Sequence, residues 1–240
     1  MNNIYGLLNV LKMLCVTVNI EWLLSALSPP KKRVTVPPRL IVNENQLSVQ
    51  HFYDGGRGMR TISTVMSSSV GPFSFEMSET VRRFLCCCSS FKSVKFQLTG
   101  QSLAILLESS CSALQYNLPY VKVVDILSMS ESDQDMELRV PSAEWLNVWQ
   151  TIPVKGDVEI SCTARQRAIT LKHSKGRWAC AVHASERASK SVSFVCDSRV
   201  GKAVFVDCVA SETFSSLVLK ANGVLCWKVG NDQVLLSPNE

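Results

Sequence analysis

The chain has 240 residues, 46% of them hydrophobic, 19% charged and 8% aromatic, with a formal net charge of +5. That length buries a substantial core in one or two domains, and the composition is that of a soluble globular protein rather than a disordered or fibrous one. A surplus of five charges permits weak attraction to phosphate backbones and demands none.

Met1 to Lys12 reads as an extension, and Met13 offers an alternative start. CVTV (15–18) reads as a strand, and Asn19 caps a helix over IEWLLSAL (20–27). Two Pro-Pro pairs then flank KKRVTV, a breaker-rich loop whose Lys31-Lys32-Arg33 run is expected in solvent. LIVN (40–43) and LSVQHFYD (47–54) are expected strands around GGRG (55–58), a tip too short and wrongly spaced for a nucleotide-binding fingerprint. MRTISTV (59–65) and FSFEM (73–77) follow as strands. Ser78 and Glu79 open a second helix, with Val81, Phe84, Leu85 and Cys88 recurring at helical spacing. VKFQL and LAILL then turn around Thr99-Gly100-Gln101. LQYNL and YVKVVDI continue as strands into an acidic, aperiodic linker, Ser128 to Asp135.

The second half repeats the pattern. LRVP leads to a cap at Ser142 with Glu144, a helix, then VEISC and AITLK. RWACAVHAS and SVSFVC are strands joined by the basic loop SERASK (185–190). Asp197 caps a last helix, followed by SLVLK and VLCWKV around Asn222-Gly223, and the chain ends in QVLLSPNE. Four units of strand, capped helix and hairpin recur at a period of roughly 55–65 residues, the mark of a repeated supersecondary element. The expected fold class is α+β, as two similar domains of two helices each on antiparallel sheet. The boundaries read as 1–12 extension, 13–127 first domain, 128–135 connector and 136–240 second domain.

Ten cysteines include no C-x-x-C, and the histidines number three, His51, His173 and His183, so neither a metal site nor a disulfide framework is indicated. Reduced thiols acting as small hydrophobes fit a nuclear or cytoplasmic compartment. The longest apolar runs fall short of the roughly 20 residues a membrane span needs. No carboxylate pair has acid–base spacing and no serine sits in a nucleophile elbow, so an enzyme is not expected, nor any cofactor or metal. The basic residues are more telling by place. Helix counting turns Arg82 and Arg83 on the second helix, and Arg199 and Lys202 on the fourth, away from the sheet.

MELRVPSAEWLNVWQTIPVKGDVEISCTARQRAITLKHSKGRWACAVHAS (136–185), YVKVVDI before the linker and the closing VLLSPNE together resemble the sliding clamps of the proliferating cell nuclear antigen family, over about Leu14 to Glu240. The resemblance implies a ring, with three chains supplying twelve helices around duplex DNA and the sheets outside. It implies DNA contact by Arg82, Arg83, Arg199 and Lys202, with Lys155 beyond the third helix. It also implies a pocket for client peptides formed by Leu47, Val49, Ile126, Leu127, Met129, Leu235, Leu236 and Pro238. The expected function is tethering of DNA polymerase as a processivity factor. The implied partners are double-stranded DNA, polymerase and other clamp-binding peptides, and a clamp loader, in a homotrimer without membrane contact, in the nucleus or at a viral replication site. A subunit of a heterotrimeric checkpoint-type clamp, or a clamp-fold cofactor that does not encircle DNA, is the alternative. The third helix is nearly uncharged, the first lacks lysine, and the connector is short and acidic, all departures from the family pattern.

Overall fold

A computed structural model describes residues 14–28, 36–43, 45–66, 72–124, 136–176, 178–220 and 223–239. The extension with Met13, the Lys31-Lys32-Arg33 run, the connector, and Ile126, Leu127, Met129 and Asn222 lie outside those residues. The chain divides into two compact units. Among the described residues the first takes in 14–28, 38–49 and 64–124, and the second 36–37, 50–63 and 136–239.

In the first unit β1 (Leu14–Asn19), α1 (Ile20–Leu27), β2 (Arg39–Asn43), β3 (Gln46–Tyr53), β4 (Gly58–Val65), β5 (Phe73–Glu76), α2 (Glu79–Cys87), β6 (Ser93–Thr99), β7 (Ser102–Glu108) and β8 (Ala113–Leu118) follow in order; β3 and β4 continue into the second unit. One antiparallel sheet has the order β1-β6-β7-β8. Its central strands alternate strictly. Val94, Phe96 and Leu98 of β6 and Leu103, Ile105 and Leu107 of β7 are buried, while the intervening residues are not. That period of two is what a sheet with one covered face requires. The cover is supplied by α1 and α2, which pack side by side and bury Ile20, Leu23 and Leu27, and Val81 and Leu85. Asn19 Oδ1 accepts from Trp22 N–H at 3.0 Å, so the first helix starts at its expected cap. The hairpin β6–β7 turns at Gly100, whose φ of +60° suits glycine.

The stretch YVKVV, expected as a strand, is irregular apart from one bridge between Phe75 and Val123. Its backbone bonds are split between two neighbours. Val121 N–H donates to Gln101 O, whereas Lys122 O accepts from Glu76 N–H and Val124 N–H donates to Ser74 O. Only its second half lies against β5, through that one bridge, so the described residues form no longer ladder.

The second unit contains β9 (Met136–Pro141), α3 (Ser142–Thr151), β10 (Asp157–Cys162), β11 (Ala168–His173), β12 (Ala179–His183), β13 (Val192–Asp197), α4 (Ser198–Phe205), β14 (Phe214–Leu219), β15 (Leu225–Val229) and β16 (Asp232–Leu236). One sheet has the order β12-β11-β10-β13; a second runs β4-β16-β15-β14-β9. The two helices pack on each other over a core in which Trp145, Trp149, Phe205 and Trp227 interlock. Trp149 stacks on Phe205 at 4.8 Å, and Trp227 meets Phe205 edge-on at 5.5 Å. Trp227 keeps its one donor satisfied, Nε1–H reaching Ser215 Oγ at 2.7 Å. Nearly uncharged α3, with its two tryptophans, is therefore a core helix first.

Ser142 is not the cap that its spacing suggests. Pro141 holds the cap position with φ −61°, and Ser142 is the first helical residue, its hydroxyl buried and unbonded. Proline's fixed φ sets the entry into the helix, and Ser142 N–H is taken by Thr213 O.

The strand–helix–hairpin unit thus occurs four times, as β1-α1-β2, β5-α2-β6, β9-α3-β10 and β13-α4-β14 with their following strands. Among the described residues Cys88, Cys162, Cys196 and Cys226 are buried as free thiols, and Cys86, Cys87 and Cys111 are exposed. Burial, helped by Asp197 and Asp157, pushes the Cys196 thiol up to about 12, so it stays protonated and inert at neutral pH. No described helix is long and apolar enough to cross a membrane.

Candidate nucleic-acid interface

On α2 the arginines are presented by an ordinary amphipathic helix. Ser78 Oγ accepts from Val81 N–H at 3.3 Å and fixes the first turn. Val81 and Leu85 turn inward, and Phe84, half-buried, stacks on Tyr116 of β8 at 4.5 Å. Arg82 and Arg83 are left on the outer side, where both converge on one acid. Arg82 grips Glu79 through two bonds of 2.8 Å, and Arg83 Nε–H donates to Glu79 Oε1 at 2.9 Å. The hydrogen bond from Arg82, then that from Arg83, holds the Glu79 carboxyl down at about 2. The same bond raises the pKa of Arg82. Exposed pairs of this kind add little to stability, so a phosphate can displace Glu79 at little cost.

On α4, Asp197 Oδ1 accepts from the N–H groups of Arg199 at 2.7 Å and Val200 at 3.4 Å. Val200 and Val204 are buried, and Arg199 stands out at 64% side-chain exposure. Its Nη2 pairs at 3.1 Å with Asp54, which sits at φ +46° in the one-turn helix Asp54–Gly56 between β3 and β4. Lys202 is differently employed. Its Nζ donates to Gln150 O at 2.7 Å and Ile152 O at 3.0 Å, closing the C-terminal end of α3. The ammonium satisfies carbonyls that the helix leaves open and complements its dipole. Lys155 is exposed in the turn after α3 and forms no ion pair among the described residues.

The helix faces are close to neutral. Glu21 and Glu79 offset Arg82 and Arg83 on α1 and α2, and Glu144 stands against Arg199 and Lys202 on α3 and α4. Sequence spacing found the basic residues but missed their partners. Asp54 is 145 positions from Arg199, beyond any local pattern. Glu79, four residues before Arg83, carried the visible i,i+4 signal.

Of the residues expected to receive client peptides, Leu47 and Val49 are fully buried on β3 in the first unit. Leu235 and Leu236 are buried on β16 in the second, paired with Met59 and Gly58 of β4. Pro238 is exposed beyond β16, beside Gly223. Among the described residues no group of three or more His, Cys, Asp or Glu side chains is placed to hold a metal ion.

Four short helices on antiparallel sheets make this a clamp fold. One solved structure that it resembles is from Eubacterium rectale, a protein assigned as a DNA polymerase III beta subunit. The two share 12% identity at a TM-score of 0.63, over 94% of this chain and 65% of that one. The chain therefore spans less than two thirds of the length of that neighbour, and at such identity the likeness is one of fold alone. No protein-family model matches the sequence, and no curated protein does.

Proposed function

We propose that the chain is a DNA sliding clamp, a non-enzymatic processivity factor that encircles duplex DNA and tethers a DNA polymerase. The clamp fold over 94% of the chain is the observation that carries this reading. Two clamp domains, 13–127 and 136–240, are joined by the 128–135 connector, and three copies close a homotrimeric ring. The sheet edges support closure. β8 ends one sheet and β12 ends the other, and neither has a strand on its outer side among the described residues. An unpaired edge recruits another strand, and head-to-tail pairing of β8 with β12 of the next copy removes both edges in a cyclic assembly.

Arg82, Arg83 and Arg199 are the principal phosphate contacts, with Lys155 and Lys202 supporting. The contacts are sequence-blind, so the ring slides. Leu47, Val49, Ile126, Leu127, Met129, Leu235, Leu236 and Pro238 form the client-peptide pocket. The clamp works in the nucleus or at a viral replication site, after opening by a loader that this chain does not encode. Reversing Arg82→Glu together with Arg199→Glu is expected to reduce clamp-dependent synthesis on primed circular DNA by about tenfold or more, two lost phosphate contacts becoming two repulsions. Unchanged synthesis would refute the proposed contacts. The near-neutral helix faces favour a second reading, a clamp-fold interaction protein that does not encircle DNA. For that protein the chain would give no synthesis enhancement to lose.

A further inference from the structure

Among the described residues, basic side chains cluster on two loops of the second unit. Residues 163–167 join β10 to β11, and residues 184–191 join β12 to β13. Together they carry Arg165, Arg167, Arg187 and Lys190 against a single acid, Glu186. All four basic residues are exposed. The loops are bonded to each other rather than free. Arg165 N–H donates to Ala188 O and Ala188 N–H to Gln166 O, each at 2.9 Å. Ala184 N–H donates to Arg167 O at 2.7 Å, and Ala164 N–H to Ser191 Oγ at 2.9 Å. Ala188 is 3% exposed and belongs to the hydrophobic core, which pins the second loop from beneath. Arg165, Arg167 and Arg187 form no ion pair among the described residues, while Glu186 lines a separate cleft with Arg139, Phe214 and Lys228.

We propose that these two loops form a rigid platform that binds the phosphate backbone of nucleic acid, apart from the helix faces and without reading base sequence. The choice of partner rests on the proposed clamp function and on the make-up of the surface. A protein-binding patch has an apolar centre depleted of charge. Here the residues between the arginines are Gln166, Ser185 and Ser189, and the alanines at 184 and 188 are buried. Arginine with hydroxyl and amide side chains is the set that phosphate oxygens recruit, the guanidinium binding them in bidentate fashion. A fixed loop also avoids part of the ordering cost of binding.

The test is fluorescence anisotropy of a short labelled linear duplex with the full chain, at stepped salt. Arg165→Gln, Arg167→Gln and Arg187→Gln together are expected to lower the log–log salt slope by about 2.7, three contacts at about 0.9 each, or about 500-fold in affinity at 0.1 M salt. The same three changes to lysine keep the slope, which separates lost charge from a misfolded loop. A triple glutamine variant that binds with the slope of the parent overturns the proposal. So does a parent chain that binds polyglutamate and not the duplex, which would assign the loops to an acidic protein. Processive synthesis on circular DNA discriminates the two claims. Synthesis that persists while the glutamine variant loses duplex binding supports the platform and leaves the clamp reading standing. Loop-dependent duplex binding in a chain that never supports synthesis supports the platform and defeats the clamp reading.

Discussion

Replacing Gly201 by alanine is expected to destabilise the second unit by about 1–2 kcal/mol, although the same change in an open helix would stabilise it by about 1 kcal/mol. Gly201 lies in the middle of α4, against α3. A Cβ built there falls 2.1 Å from Cζ3 and 2.5 Å from Cη2 of Trp149. The indole has no room to retreat, because it is 1% exposed, stacked on Phe205 and edge-on to Trp145 at 6.1 Å. Overpacking of that kind costs about 1–3 kcal/mol or more and outweighs the gain in helix propensity. Gly201→Val, with two further carbons and a β-branched χ1, is expected to cost more still. Urea denaturation followed by tryptophan fluorescence reads the difference, since Trp145, Trp149 and Trp227 all lie in this core. A midpoint that rises in Gly201→Ala would show that the helices are not in contact there.

Asp232→Ala is expected to cost about 3–5 kcal/mol, the largest single loss among the charged residues. Arg60 of β4 holds Asp232 of β16 through Nε–Oδ1 at 2.8 Å and Nη2–Oδ2 at 2.6 Å, with only 14% and 13% of the side chains exposed. Burial pulls the guanidinium towards losing its proton, but the bonds and charge of Asp232 more than compensate, and its pKa is raised. Without the carboxylate, a cation stays in a site that water barely reaches. Tyr53 nearby offers no substitute anion: burial, then the charge of Asp207, raises its phenol, which stays protonated. Replacing both partners, as Arg60→Met with Asp232→Leu, is expected to recover most of the loss, because the uncompensated charge goes with the pair. Thermal unfolding of the single and double variants forms the cycle. A double variant as unstable as Asp232→Ala would mean that shape, not charge, holds the strands there.

Local rules made much of the fold legible. The caps at Asn19, Ser78 and Asp197 form as read, since each depends only on a side chain reaching two or three residues ahead. The hairpin of β6 and β7 was equally plain, as VKFQL and LAILL around Gly100. The misreadings had distant causes. Ser142 yields the cap position to Pro141 and gives its N–H to Thr213 O, 71 positions on, and YVKVV meets β5 only through its second half, its first half bonding to Gln101. Charge followed the same division. The arginines of α2 and α4 could be placed by counting, whereas Asp54, Asp232 and the α3 carbonyls that occupy Lys202 are brought in by tertiary folding. The basic loops were seen singly, as SERASK. Their juxtaposition with Arg165 and Arg167 exists only once β10 to β13 are assembled.

The mass of the purified chain by light scattering, over a range of concentration, tests the proposed encirclement most directly. Three copies of 26.6 kDa predict 3 × 26.6 = 79.8 kDa, the smallest ring that presents twelve helices. A mass of 26.6 kDa at every concentration would contradict a self-assembled ring, leaving β8 and β12 to be paired by other chains or not at all.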